Sequence, residues 1–467
     1  MIEQVDADYL VVGAGAMGMG FTDALIDHCD KRVVIVDRRH GVGGHWLEAY
    51  PFVRLHQASA FYGVPSTLLG GGRLQQRGPE EGLQERATQP EICSYYTHVL
   101  EDRFLASGRV EFFGACEYLG HRTFVSRVSG RRYQVPDSCR IVDGTLLAPD
   151  IPAESPPPYE VGTDTRVIPV NELPRLGDAA SQYVITGSGK TATDAIVWLL
   201  AQGVGPEAIC WVRPRDPWMV NRAKVQPDPG AFFGMAADMM EAAIAADSVE
   251  DLFLRLEDVD VTMRIDRSVM PTMAKGPTLA TWELELLRTI ENVVRRGHVR
   301  RVERGALVFA DGSVSIADDA VVVHCAAPGL KYPAAIPVWT PGLISLQPLR
   351  AGFPCFGTAV IGYVEATRGG GEAGDEEKNR ICLPSRYGDS MQQWAEMNYR
   401  GGLATRALNA EPDIKSWLDG IAINPARVPA GHPGSAELDD ALARLQVATP
   451  AALEKFALLG GVVPSAG

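Results

Sequence analysis

Two glycine runs carry the chemistry this chain is equipped for. The first is Gly13-Ala14-Gly15-Ala16-Met17-Gly18 and the second is Gly187-Ser188-Gly189-Lys190-Thr191-Ala192. Each follows a short apolar run and opens an amphipathic stretch. In the first, Gly13 permits a tight turn and Gly15 lets the backbone approach a pyrophosphate. Ala16 and Met17 open a helix whose N-terminus meets the phosphate charge, and Gly18 lets that helix pack closely on the strand. Asp37, followed by Arg38, ends the next apolar run about 20 residues on, where a carboxylate accepts hydrogen bonds from a ribose hydroxyl. One such constellation predicts one bound dinucleotide. Two, in this order, predict a protein that passes a hydride from a nicotinamide to a flavin.

The second run differs from the first where it matters for ligand choice. Ala192 stands in place of the third glycine, a variant that accompanies NADP in many proteins. The next apolar run ends not in an acid but in Arg213-Pro214-Arg215. An acid there repels a 2′-phosphate, whereas guanidinium groups clamp it through charge-assisted hydrogen bonds. Gly187, Ser188, Gly189, Lys190, Thr191, Arg213 and Arg215 are therefore read as an NADPH site. Gly-Lys-Thr at 189–191 is not a triphosphate loop, because Val184, inside the strand, occupies the position of the required first glycine.

These residues need two strand–helix–strand units to hold them. The first unit spans residues 8–37, with strands at Tyr9–Val12 and Arg32–Asp37; the second has strands at Gln182–Thr186 and Ala208–Arg213. A proline-rich connector at 149–160 separates them. Residues 220–275 interrupt the rhythm, read as helical, and hold Met235, Met239, Met240, Met263, Met270 and Met273. Asn221, Arg222 and Lys275 flank this insert and are candidates to orient a substrate carboxylate or the nicotinamide. A helix is expected near Trp282–Arg296, a hairpin at Asp311-Gly312, and a surface loop at Gly369–Glu377.

Composition narrows the field. The net charge of −14 argues against a nucleic-acid partner, and 46% apolar residues permit sizeable cores. No long uncharged apolar run or secretory leader pattern is present, so neither membrane association nor export is expected and the cytoplasm is the expected compartment. Eight scattered cysteines, none spaced as a redox pair, read as buried thiols and argue against a disulfide reductase. No metal site is expected from the histidines.

Beyond the glycines, Gly43-Gly44-His45-Trp46 and Tyr50-Pro51-Phe52-Val53-Arg54-Leu55-His56-Gln57 resemble the GGxW and YPxxR segments of class B flavoprotein monooxygenases. Tyr183–Asp194 is similar to the VVGSGKSAxD segment of their nicotinamide domain. The resemblance implies an α/β fold with two Rossmann-like dinucleotide-binding domains, the NAD(P) domain inserted in the FAD domain. That gives FAD-binding residues 1–150, NAD(P)H-binding residues 161–330 with the helical insert at about 220–275, and a return at 331–467. It implies that Gly44, His45, Trp46, His56 and Gln57 lie along the flavin, with His56 and Gln57 the candidate catalytic hydrogen-bonding groups. It also likens Ala359–Tyr363, with Gly362, to a strand that returns to the flavin.

For function, the resemblance implies an NADPH-dependent FAD monooxygenase. Its C4a-(hydro)peroxyflavin would oxygenate a small organic substrate at nitrogen, sulfur or a carbonyl carbon, with dioxygen as co-substrate. The chain lacks the FxGxxxH segment of the Baeyer–Villiger and N-oxidising enzymes before its second glycine run, which weakens transfer of their mechanism. A flavin dehydrogenase or reductase without oxygen transfer, and a non-catalytic flavoprotein that binds a partner, remain the alternatives. Homo-oligomerisation is left open.

Overall fold

The structure, a computed structural model, describes residues 2–350 and 352–463. Two parallel sheets organise it. Along the chain the first sheet receives β1 (Tyr9–Val12), β2 (Val33–Val36), β3 (Val110–Phe113) and β4 (Arg140–Asp143). The second receives β5 (Arg166–Pro169), β6 (Tyr183–Thr186), β7 (Ile209–Val212), β8 (Val293–Val294) and β9 (Val321–His324). The chain then returns to the first sheet with β10 (Trp339–Thr340) and β11 (Leu343–Ser345).

The first sheet has the order β10-β11-β4-β1-β2-β3 and is parallel except for the β10–β11 pair. The second is wholly parallel, with order β5-β9-β6-β7-β8. The central strands are runs of Val, Ile and Leu buried on both faces, which is why their sequences do not alternate. In both sheets a glycine run links the central strand to a helix: α1 (Ala16–His28) after β1, and, beyond α2 (Gln89–His98), α3 (Lys190–Ala201) after β6.

The segment between β7 and β8 holds α4 (Pro229–Ala245), α5 (Val249–Asp258), a small sheet built from Thr262–Arg264, Trp218–Asn221 and Thr278–Leu279, and α6 (Thr281–Arg288). Asp228 and Ser248 cap α4 and α5 by accepting hydrogen bonds from backbone amides. The helix expected to run to Arg296 ends at Arg288. Two residues of β8 follow, buried beside β7, because Val293 and Val294 complete the sheet rather than a helical face.

Two further expectations are corrected after β11. Ala359–Tyr363 is not a strand; it lies within α7 (Pro354–Thr367), a helix buried along almost its whole length and so without a polar stripe to betray its period. Gly362 lies on the face of α7 that meets α1. A Cβ there would come within 2.4 Å of the Phe21 carbonyl oxygen, so this glycine sets the close packing of α7 on α1. The acidic stretch Gly369–Glu377 is largely α8 (Gly371–Ile381), not a loop. Lys378 on its inner face is only 1% exposed and pairs with Glu365 at 2.5 Å and Asp375 at 3.0 Å, which anchors a segment whose composition alone looks unable to fold. The chain ends in α9 (Met391–Asn409), α10 (Pro412–Gly420) and α11 (Ala436–Leu459), with α11 packed along α4 and α9. Among the described residues no helix is long and apolar enough to cross a membrane. The Asp311-Gly312 hairpin forms as expected, pairing Ala306–Phe309 with Gly312–Ser315.

Candidate functional site

Both glycine runs sit at the carboxyl ends of central parallel strands, where open α/β sheets bind ligands. In the first, Gly13 has φ +101°, and a Cβ on Gly18 would lie 2.0 Å from the Gly13 carbonyl oxygen. Both positions therefore require glycine. Gly15 is the N-cap of α1; no side chain caps it and no acid stands in the first turn, so the helix end presents its amides without a protein anion. The loop carrying Gly44 packs backbone to backbone against it: a Cβ on Gly44 would come within 2.9 Å of the Gly15 Cα. Such a two-walled backbone cradle fits a pyrophosphate.

Asp37 closes this cradle from below. Its Oδ2 accepts from the Ala14 amide at 2.7 Å and its Oδ1 from the Arg39 amide at 2.8 Å. Each oxygen keeps a lone pair for a ribose hydroxyl. Arg38 pairs with Glu154 at 2.8 Å on the surface. Trp46 donates its indole N–H to Tyr62 at 2.7 Å, which leaves only its ring to line a site. His45 lies against Trp46 with ring centroids 5.1 Å apart, and burial pulls its pKa down to about 4.

His56 is held by its backbone. Its carbonyl oxygen accepts from Arg222 Nε at 2.9 Å and from the Thr278 hydroxyl. Its imidazole is pulled to about 3 by burial, with Lys190, Arg222 and Arg86 adding to the effect, so it is neutral across the physiological range. Gln57 beside it is partly buried.

The second cradle repeats the first with one residue changed in each role. Gly187 has φ +135°, and a Cβ there would meet the Cys325 carbonyl oxygen at 2.8 Å. Gly189 is the N-cap of α3, again without a side-chain cap, and its missing Cβ faces open space. Ser188 is buried beside it and Thr191 lies in the first turn. Ala192 is fully buried where Gly18 stands in the first cradle.

Arg213 follows β7 directly. It is 3% exposed, stacks on Trp211 at 4.6 Å, and has its Nη1 3.2 Å from Asp216, outside hydrogen-bond geometry. Its Nε has no hydrogen-bond partner, and burial pulls its pKa down to about 10. A buried guanidinium with idle donors fits a phosphate.

Two residues assigned to this cradle from the sequence are otherwise engaged. The Lys190 ammonium turns inward to Asp194 and lies 3.6 Å from Glu283. Arg215 donates to Asp389 at 2.6 Å and to the Thr272 carbonyl at 2.7 Å. Of the residues flanking the insert, Asn221 caps a short turn by accepting from the Ala223 amide, and Arg222 is buried among carboxylates. Lys275 alone keeps a charge without an ion-pair partner among the described residues.

Sequence reasoning missed the chain of ion pairs that joins the two cradles. Glu80 takes Arg222 and, at 2.9 Å, Arg86; Arg222 reaches Glu283 at 2.7 Å; Glu283 neighbours Lys190; Tyr50 donates to Asp194 at 2.7 Å. No local signal announces it, because its members come from five separate segments. The lowered pKa of Glu283, to about 2, is set by Lys190 and Arg222 against the opposing effect of burial.

All eight cysteines are unpaired, and six are buried. Among the described residues no group of three or more His, Cys, Asp or Glu is arranged to hold a metal ion.

No protein-family model matches the chain. It is 41% identical over 424 residues to the uncharacterized protein Rv2000 of Mycobacterium tuberculosis, covering 90% of this chain and 78% of that one. The same figures hold for the uncharacterized protein Mb2023 of Mycobacterium bovis. Among solved structures, cyclohexanone monooxygenase in its cyclohexanone-bound Rotated conformation aligns with a TM-score of 0.51 at 17% identity, covering 89% of this chain and 98% of that one. Its epsilon-caprolactone-bound Loose conformation gives 0.52 at 17% identity, covering 88% and 98%. Polycyclic ketone monooxygenase from Thermothelomyces thermophila gives 0.50 at 13% identity, covering 97% and 90%. At these identities the likeness is one of fold: the two-dinucleotide-domain fold of class B flavin monooxygenases.

Proposed function

We propose, since this chain belongs to the family of the two mycobacterial proteins and has the fold of class B flavin monooxygenases, that it is an NADPH-dependent FAD monooxygenase of a small organic substrate. Residues 1–150 and 331–467 form the FAD unit and 161–330 the nicotinamide unit. The observation that carries the reading is the pair of uncapped helix N-termini, one beside an acid with spare lone pairs and the other beside a buried arginine with idle donors.

Gly13, Gly15, Ala16, Met17 and Gly18 receive the FAD pyrophosphate on backbone amides, and Asp37 receives the adenosine ribose. Gly44, His45 and Trp46 wall the flavin tail. Gly187, Ser188, Gly189 and Thr191 receive the NADPH pyrophosphate, and Arg213 the 2′-phosphate. Bound there, the two cofactors supply hydride transfer and the activation of dioxygen. The chain's own work is orientation and electrostatics. His56 and Gln57 offer hydrogen bonds beside the flavin, and His56 does so without charge because it is buried and its neighbours are cationic. The Glu80–Arg222–Glu283–Lys190 chain ties the segment before α2 to the start of α3.

The test begins with purified protein. It should be yellow, be bleached anaerobically by NADPH faster than by NADH, and consume oxygen with formation of an oxygenated product. Full conversion of oxygen to hydrogen peroxide with every nitrogen, sulfur and ketone substrate offered, together with rapid anaerobic reduction of a quinone, would instead make it a flavin dehydrogenase.

A further inference from the structure

Three loops leaving the carboxyl ends of strands in both sheets converge on one polar cluster. The loop after β7 brings Arg215, the loop after β9 brings Pro328 and Tyr332, and the loop after β11 leads into α7 at Gly352–Pro354. Residues 272–275, on the way out of the insert, and 387–389, between α8 and α9, close the cluster from the other side. The Ala274 amide donates to the Asp389 carbonyl at 2.8 Å, and Arg215 ties Thr272 to Asp389. Tyr387 lies against the Gly352 backbone and beside Tyr332.

The charges in this cluster do not cancel. Asp389 is held by Arg215 at 2.6 Å. Lys275 is half-buried, makes no ion pair among the described residues, and spends one donor on the Pro328 carbonyl at 3.2 Å. Its ammonium sits 5.3 Å from the centre of the Tyr332 ring. Burial lowers the Lys275 pKa and pushes Tyr332 up to about 12. The nearest carboxylate acting on this ammonium, Asp389, is already held by Arg215, so Lys275 keeps two donors without an anion of its own. The anionic parts of the coenzymes have their own places: the helix N-termini at Gly15 and Gly189, and Arg213 at the end of β7.

We propose that Lys275, backed by Tyr332, anchors the carboxylate of an organic acid, which makes the substrate class a small carboxylic acid oxidised elsewhere on its skeleton. This rests on the flavin monooxygenase reading, since it is that reading which places the reactive ends of both cofactors between the two sheets. The Arg215–Asp389 pair is the positioning element, because it holds the 272–275 segment that carries Lys275.

Isothermal calorimetry on the full chain tests it, with acetate, hexanoate and phenylacetate each titrated beside its primary amide. At least one acid should bind about tenfold or more tighter than its amide, the size of one charge-assisted contact. Lys275→Met should erase that preference and Lys275→Arg should restore most of it, with the KM for NADPH changed less than about twofold. Equal binding of every acid and its amide, or a preference that survives in Lys275→Met, overturns the proposal. So does a rise of about tenfold in the KM for NADPH in Lys275→Met, which would give the ammonium to the coenzyme. Colourless protein that NADPH cannot serve as a reductant, yet still binds acids through Lys275, would sink the flavin reading and leave the carboxylate site standing.

Discussion

The two cradles are built to one plan and finished differently. In the first, the residue after the strand is Asp37, whose carboxylate braces the glycine loop by bonding the Ala14 amide. In the second it is Arg213, which bonds nothing through Nε and rests on Trp211. The first cradle is self-supporting; the second holds donors in reserve. The helix seam differs in the same way. Gly18 leaves no room for a methyl group, whereas Ala192 fills the corresponding place. One strand–turn–helix unit thus gives two different cradles by changing the strand-end residue and one carbon at the seam.

The largest test asks whether the cradles are independent at all. Arg222→Met removes the cation shared by Glu80 and Glu283, leaving Glu80 to Arg86 alone and the buried Glu283 carboxylate to the more distant Lys190. It should cost about 3–5 kcal/mol of stability and lower both flavin content and NADPH affinity, read by urea unfolding and cofactor titration. Loss of one cofactor alone would show that the ion chain does not link them. The seam comes next. Gly18→Ala should destabilise by about 1–3 kcal/mol and release FAD, because its Cβ has nowhere to go, whereas Ala192→Gly should cost less than about 1 kcal/mol and leave FAD in place. Arg213→Leu should raise the KM for NADPH about tenfold, a loss of about 1.4 kcal/mol, with the KM for NADH and the flavin content unchanged. Equal losses for both coenzymes would remove Arg213 from the 2′-phosphate.

A separate test is the pH dependence of stability. His56 and His45 have folded-state pKa values pulled down to about 3 and about 4. The unfolded chain, with ordinary histidines near about 6.5, therefore takes up protons that the folded chain refuses between those values. Stability should fall as pH drops from about 6.5 toward about 4. His56→Gln should flatten that slope and should leave hydride transfer without a new ionisation between about pH 6 and 8, followed by thermal unfolding and stopped-flow across the range.

Both cradles are legible in the sequence because their chemistry is local. Gly13 to Asp37 and Gly187 to Arg213 each fit within one strand–helix–strand unit, and the glycines announce their backbone demands. The pairing of Lys190 with Asp194 lies four residues apart on one helix, but the approach of Glu283 is not legible, because it arrives from α6, far along the chain. Arg38 and Arg215 escape a local reading for the same reason: Glu154 and Asp389 claim them from distant segments. The Ala359–Tyr363 helix is hidden by uniform burial, which erases the 3.6-residue period. In α8 the acidic residues mask the one lysine that anchors it.

The placement of β10 and β11 has a consequence for how the protein is made. Their home sheet is left open at β4 until the chain has passed through the whole second sheet, roughly 200 residues later, or about 10–40 s of synthesis. During that interval the second sheet gathers its five strands while the edge of β4, a ready template for foreign strands, waits bare. The nascent first sheet is thus open to misassembly for that interval, and the ribosome finishes the second sheet before the first can close.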